Sequence, residues 1–281
     1  MGDLSWSVIF VVLTGSLLHA GWNALVKSSP DKDMDIALMH VLEALLAAPI
    51  LHVIGFAKME ALPYLAASIV IHLAYFYLLI QAYQKGDFGL TYPLMRGVAP
   101  LLIALASILL LHESFSLIAL LGIIGISTGV LALGLSRHAL DSPKAVLYAL
   151  CNAGVIALYS IVDGIGVRVS GDSWQYIATL FFLDGFPFAL AVYFYRGGAL
   201  ISHARSRWPV ATGGAVATFA SYGATLWAMS RAPVAFISAI RETSVLFAML
   251  IGILFFREAF TFRRLISALL IVCGIGAIRF G

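Results

Sequence analysis

The stretch "TYPLMRGVAPLLIALASILLLHESF", Thr91 to Phe115, decides the solvent and raises the question of function together. Its second half is apolar enough to dissolve in lipid, yet Arg96 sits inside the run between Pro93 and Pro100. Composition agrees with lipid. The 281-residue chain is 62% hydrophobic and 11% charged, whereas a soluble domain carries about 25% charge.

Outward from this stretch, apolar runs recur at 4 to 26, 34 to 57, 62 to 83, 88 to 111, 116 to 136, 143 to 167, 173 to 195, 208 to 230, 232 to 256 and 262 to 280. Turn and charge signals separate them: "KSSPDKD", "KGDFG", "SRHALDSPK" and "RGGALISHARSRWP". Each run has roughly the 20 residues that a helix needs to cross a bilayer, and none alternates as a barrel strand would. Lipid leaves backbone groups no partner but one another, so the expected class is an all-α integral membrane protein of ten transmembrane helices. The first lysine is Lys27, so residues 4 to 26 read as a first helix rather than a cleaved leader. Cys151 and Cys273 have neither metal nor redox spacing.

A shift of 145 residues lays Arg96 on Arg241, Glu113 on Glu258, Phe115 on Phe260, Gly129 on Gly274 and Tyr77 on Tyr222. A shift of 141 lays Glu43 on Asp184, and one of 137 lays Trp22 on Tyr159. The chain thus divides into two repeats, 1–138 and 139–281, within one membrane domain. Five helices is an odd number, so the second repeat enters from the opposite side. That gives two inverted five-helix repeats, an architecture of secondary transporters whose sites lie near the midplane.

With "HAGWNALVK" in the first helix, "LLLHESFSLIALLGIIGISTGV" closing the first half and "ILFFREAFTFRRLISALLIVCGIGA" closing the second, the chain resembles the EamA-type branch of the drug/metabolite transporter superfamily. The resemblance covers the whole chain and identifies a fold better than a cargo. It implies proton-coupled efflux, and cargo classes that include amino acids, other metabolites, drugs, nucleotide sugars and sugar phosphates.

A charge at mid-bilayer depth costs at least about 2.5 to 3.5 kcal/mol on insertion scales, so Arg96 and Arg241 need partners. Two readings stand side by side. Each arginine forms a structural ion pair with Glu43, Asp163, Asp184 or Glu242, or at least one grips an anionic group on a substrate through its planar fork. Pro93 and Pro100 predict a bent, partly opened helix at Arg96, while Ser238 and Ser244 share the face of Arg241. Glu242 points about 100° away from Arg241 and needs a neighbouring helix.

The other substrate-site candidates are Tyr77, Tyr222, Asn23, Trp22 and Tyr159, with Asn152, Tyr159 and Asp163 on one stripe and Ser16, His19 and Asn23 on another. Asp163, Glu43 and Asp184 are the proton-coupling candidates, because burial and a nearby cation pull a carboxylate's proton affinity in opposite directions. His19, His40 and His72 are weaker ones. Glu113 and Glu258 precede Ser116 and Thr261, plausible N-caps, and read as structural.

The reading is a transporter of a small polar metabolite bearing an anionic group, an amino acid or similar zwitterion. The partners expected are that small molecule, protons and the lipid bilayer of a bacterial inner membrane, with no nucleic acid and no cofactor or metal, in a monomer or homodimer. An exchanger of phosphorylated metabolites or nucleotide sugars is the rival. An intramembrane enzyme is the rival of another class, but HExxH, G-x-S-x-G, P-loop and Cys/His ligand patterns are all missing, and "HESF" lacks a second histidine. Orientation draws two opposed arguments. Loops after odd-numbered helices hold 11 Lys and Arg against 4 elsewhere, which places the termini outside, while the resemblance implies cytoplasmic termini. A reporter fused after Gly281 separates them.

Overall fold

The computed structural model describes residues 4–27, 29–86, 88–134, 142–256 and 261–281. Within them the chain forms twelve α-helices and one 3-10 turn: α1 (Trp6–Lys27), α2 (Lys32–Ile54), the turn Met59–Ala61, α3 (Leu62–Lys85), α4 (Phe88–Leu110), α5 (Leu117–Gly134), α6 (Pro143–Val169), α7 (Ser173–Asp184), α8 (Pro187–Arg196), α9 (Ala199–Met229), α10 (Val234–Arg241), α11 (Ser244–Phe256) and α12 (Phe262–Phe280). There is no strand among the described residues. The junction between the two expected repeats, and the residues Glu258 and Phe260, lie outside the described residues.

Local chemistry explains the boundaries. Asp31, Asp172 and Thr261 cap α2, α7 and α12, each side chain accepting a backbone N–H of the first turn. Ser116 does the same before α5, taking the Ala119 N–H at 3.0 Å. Pro143 and Pro187 stand in the first turns of α6 and α8, where a missing N–H costs nothing. Gly55 and Gly197 end α2 and α8 with φ of 81° and 58°, a conformation that a β-carbon disfavours.

Eight stretches are long and apolar enough to cross a membrane: α1 through α6, α3 taken with its leading turn, then α7 with α8 and α10 with α11. The other two helices are less apolar. α9 is diluted by Gly213, Gly214, Ser221, Gly223 and Thr225, and α12 carries Arg263, Arg264 and Arg279. α9 also begins well before the apolar run at 208. The segment from Ala199 through Pro209, expected as loop, is helical, because the turn is made by Gly197 and Gly198 alone and good helix formers follow.

α1 packs on α9, α3 on α6, α2 on α7 and α9, α4 on both α5 and α6, and α5 on α12. The α5–α12 contact is set by small residues. A β-carbon on Gly122 would meet Gly274 O at 2.7 Å, and one on Gly129 would meet Ser267 O at 2.9 Å. As numbers rise along α5 they fall along α12, so the two helices run antiparallel. Backbones approach this closely in lipid only where side chains are absent, and dispersion then holds the pair together. On the outside, Phe10, Leu109, Leu110, Phe194 and Leu254 are exposed, as a lipid-facing surface requires.

Candidate functional site

Two spans are interrupted, and both interruptions carry an acid. α7 ends at Asp184 before Pro187 restarts the helix as α8. α10 gives way to α11 across Glu242 and Thr243. There the backbone tightens: Val245 N–H bonds to Glu242 O and Leu246 N–H to Thr243 O, each three residues back, so Arg241 O loses its helical partner. Ser16 of α1 supplies one, its hydroxyl lying 3.2 Å from Arg241 O and 2.8 Å from Val12 O. α4, in contrast, runs unbroken through Pro93 and Pro100. The opening expected at Arg96 therefore falls instead at the matching place in the second half. Pro93 and Pro100 each withhold one hydrogen bond, seven residues apart, and α4's backbone stays helical, whereas the four shortened bonds clustered around Glu242 and Thr243 break the span.

Around the α10–α11 break the two arginines part company. Arg96 Nε lies 2.9 Å from Glu242 Oε2, and both side chains are buried. Glu242 thus turns to a neighbouring helix, as its angular offset from Arg241 requires. Arg241 is 8% exposed and has no carboxylate within ion-pair distance among the described residues. Its guanidinium carbon sits 5.2 Å from the ring centroid of Tyr222, a cation–π contact, and its Nε has no hydrogen-bond partner. Ser238 and Ser244 are buried with unpartnered hydroxyls, and so is Thr243. The helix break separates Ser244 from Ser238, so their shared face is not the continuous stripe that spacing implied.

On the other side of Tyr222 stands Asp163, fully buried in α6. Tyr222 donates its hydroxyl to Asp163 Oδ2 at 2.5 Å and Tyr176 donates to Oδ1 at 2.8 Å. Tyr222 therefore touches a buried cation with its face and a buried acid with its hydroxyl. Tyr159 continues the aromatic wall, 6.2 Å from Tyr222 and 4.8 Å from His72 between ring centroids. Tyr176 carries no periodic signal in the sequence, because it reaches Asp163 from the next helix, thirteen residues on, rather than from the same helix face.

Asp184 and Glu43 correct an expectation. Neither pairs with an arginine among the described residues. Asp184 Oδ2 lies 3.2 Å from His72 Nδ1, and Glu43 is 3% exposed with Oε1 unpartnered. α2 and α7 meet there because Gly185 has no side chain; a β-carbon would stand 2.6 Å from His40 O. Histidine thus does the work that the sequence reading gave to arginine, since α3 brings His72 opposite the end of α7.

Tyr77 is the clearest miss. It is 59% exposed on α3, while His72, Tyr75 and Leu79 turn inward. Two residues beyond Tyr75 is about 200° around a helix, so Tyr77 faces lipid. Trp22 and Asn23 stand one turn beyond His19 on α1. Trp22 donates to His19 Nδ1 at 3.2 Å and packs with Leu38, Met39 and Ala211, and Asn23 donates to His19 O at 2.8 Å. His19 itself lies within electrostatic reach of Arg241 and Arg96. Asn152 donates to the Met95 sulfur at 3.0 Å, beside the arginine helix. Glu113 takes Arg168 Nη2 at 3.2 Å and the Val234 N–H at 3.3 Å, tying α10's start to α6's end. Among the described residues no group of His, Cys, Asp and Glu could hold a metal ion.

Comparison with known proteins agrees with this architecture. Residues 143–280 match the model of the EamA-like transporter family, and residues 36–126 match that of the Small Multidrug Resistance protein. A search of curated proteins finds no match. Among solved structures, one crystal structure is similar with a TM-score of 0.74 at 17% identity over 96% of each chain, a likeness that establishes the fold alone. The chain is thus a multi-pass membrane protein whose second half, residues 143–280, matches the EamA-like transporter family.

Proposed function

We propose that the chain is a ten-span secondary transporter, built of two inverted five-helix repeats, that moves a small zwitterionic metabolite outward in exchange for protons. The observation that carries this reading is Arg241: a buried guanidinium beside a helix break, with no carboxylate partner among the described residues, amid unpartnered hydroxyls. A cation in lipid is tolerated when something answers its charge, and the answer here is a substrate anion. Discontinuous helices at the midplane are where transporters of this architecture bind. Asp163, across Tyr222 from Arg241, supplies the opposite pole for an ammonium group. An exchanger of phosphorylated compounds is disfavoured, because Arg96 is already committed to Glu242 and a single free guanidinium poorly matches a doubly charged phosphate.

The repeat reading draws support from the pairings of helices. Under the five-helix offset, the α3–α6 pair exchanges with α9–α1, and the contact of Gly122 with Gly274 exchanges with that of Ser267 with Gly129. Antiparallel α5 and α12 fit a rotation axis in the membrane plane. Alternating access needs two closable ends, and ion pairs join the halves at both. At one, Arg168 reaches Glu113; at the other, Arg207 Nη2 and His203 Nε2 each lie 2.6 Å from Asp35, and Arg196 lies 2.7 Å from Asp31.

The test is thermal stabilisation of the purified protein by amino acids, monocarboxylates and sugar phosphates, with Arg241→Lys in parallel. A zwitterion at 100 times the parent's dissociation constant stabilises the parent by about 2.7 kcal/mol and Arg241→Lys, binding about 10- to 100-fold more weakly, by only about 0.4 to 1.4 kcal/mol. Stabilisation by sugar phosphates and not by zwitterions would overturn the reading.

A further inference from the structure

Two pockets open on the surface away from the central cluster, and they adjoin. The first, about 330 Å³, lies where α6 ends, α7 begins and α9 ends, and Arg168, Arg231, Ser173 and Ser230 line it. The second, about 340 Å³, is an apolar groove along α9 lined by Phe219, Ala220, Gly223, Trp174 and Trp227. Trp174 follows Ser173 in the chain, and Trp227 O accepts hydrogen bonds from Ser230 Oγ at 2.7 Å and Arg231 Nη1 at 3.0 Å. The basic pocket and the groove therefore lie side by side, joined through Trp174 and Trp227.

Charge at this spot is concentrated. On this side of the membrane the loops and C-terminus hold only Lys58, Arg168, Arg231 and Arg279, and three of the four converge here. Lys58 reaches the pocket wall, its Nζ within 3.1 Å of where a β-carbon on Gly171 would stand; Gly171 has φ of 75° and no side chain to block it. Arg168 is braced by Met229 O, Ala232 O and Glu113. Arg231 stacks on Trp227 at 4.0 Å and, like Lys58, has no carboxylate partner among the described residues. The nearby Asp172 spends Oδ1 on the Trp174 and Gln175 N–H groups that begin α7.

We propose that these adjoining pockets bind one anionic phospholipid, its phosphate between Arg231, Lys58 and Arg168 and one acyl chain in the groove beneath Trp174 and Trp227. Basic pockets at helix ends select anionic headgroups, and tryptophans at that depth mark the boundary between headgroup and chain. The groove is lined by apolar residues, and Ala220 and Gly223 present little side chain along α9, which suits an acyl chain.

The experiment titrates phosphatidylglycerol and phosphatidylcholine of equal chain length into the detergent-purified full chain and counts bound lipid by native mass spectrometry. Two unpaired cations predict about a 30-fold preference for phosphatidylglycerol. The exposed double variant Lys58→Gln/Arg231→Gln abolishes that preference, and Ala220→Trp weakens both lipids alike without changing their ratio. Equal binding of the two lipids by the parent, an undiminished preference in the double variant, or unaltered binding by Ala220→Trp each overturns the proposal. Displacement of phosphatidylglycerol by millimolar inorganic phosphate also overturns it, because the site would then serve a soluble anion. Only the folded, monodisperse fraction of each variant is titrated.

Discussion

Arg96 and Glu242 form a buried ion pair between the two halves of the chain, Nε to Oε2 at 2.9 Å, one residue away from Arg241, which forms none among the described residues. Breaking one side of a buried pair costs about 3 to 5 kcal/mol, because the remaining charge is stranded, whereas replacing both costs much less. Arg96→Met is therefore expected to lower the thermal midpoint and yield sharply, and Arg96→Met/Glu242→Gln to recover most of both. A double variant as unstable as the single one would show that Arg96 is held by something other than Glu242.

Arg241 follows another pattern. Arg241→Lys keeps a cation above Tyr222 but loses the fork, so stability is expected to hold while substrate binding falls about 10- to 100-fold, the equivalent of one charged hydrogen bond. Arg241→Ala falls further. Ser238→Ala and Ser244→Ala each lose less than Arg241→Lys. Binding isotherms on the purified variants check this, and an Arg241→Ala protein that binds at parental affinity would place the cargo elsewhere.

Asp163 is fastened by two tyrosine hydroxyls, at 2.5 and 2.8 Å. If its carboxyl carries the coupled proton, Asp163→Asn abolishes accumulation driven by a pH gradient in proteoliposomes while substrate exchange at equal pH persists, since only net movement requires its protonation state to change. Equal loss of both activities would assign Asp163 to structure. Tyr176→Phe and Tyr222→Phe each remove one hydrogen bond from that carboxylate and are expected to shift the pH dependence of accumulation, with Tyr222→Phe also weakening binding through Arg241.

The α5–α12 seam predicts a contrast between two glycines of one helix. A β-carbon on Gly274 would stand 2.6 Å from Gly122 O, while one on Gly276 meets nothing within 4 Å. Gly274→Ala is expected to destabilise by about 1 to 3 kcal/mol, the usual cost of overpacking, and Gly276→Ala to be neutral. Thermal midpoints of the two variants decide it; equal effects would mean the seam is looser than its backbone contacts.

What the chain declares by itself is its solvent and most of its helix ends. Runs of about 20 apolar residues leave the backbone no partner but itself, and Ser116, Thr261 and Pro143 mark their helix starts through local hydrogen bonding and fixed φ, so helicity and the family resemblance were legible, while the break before Pro187 inside the run 173 to 195 was not. The correspondence of Arg96 with Arg241 under a shift of 145 residues is likewise read from the sequence, where charges in apolar runs are few because they are costly. Only the tertiary structure decided which of the two is answered by a carboxylate, since Glu242, Glu43, Asp163 and Asp184 were equivalent on charge alone and helix packing chose among them. The same holds for Asp184, which meets His72 because α3 crosses α7 there, and for Tyr77, which the repeat register placed at the centre and α3's rotation turned to lipid. Hydropathy measures how far a residue avoids water. It cannot say whether lipid or protein takes water's place, and that distinction depends on how helices from opposite halves of the chain are rotated against one another.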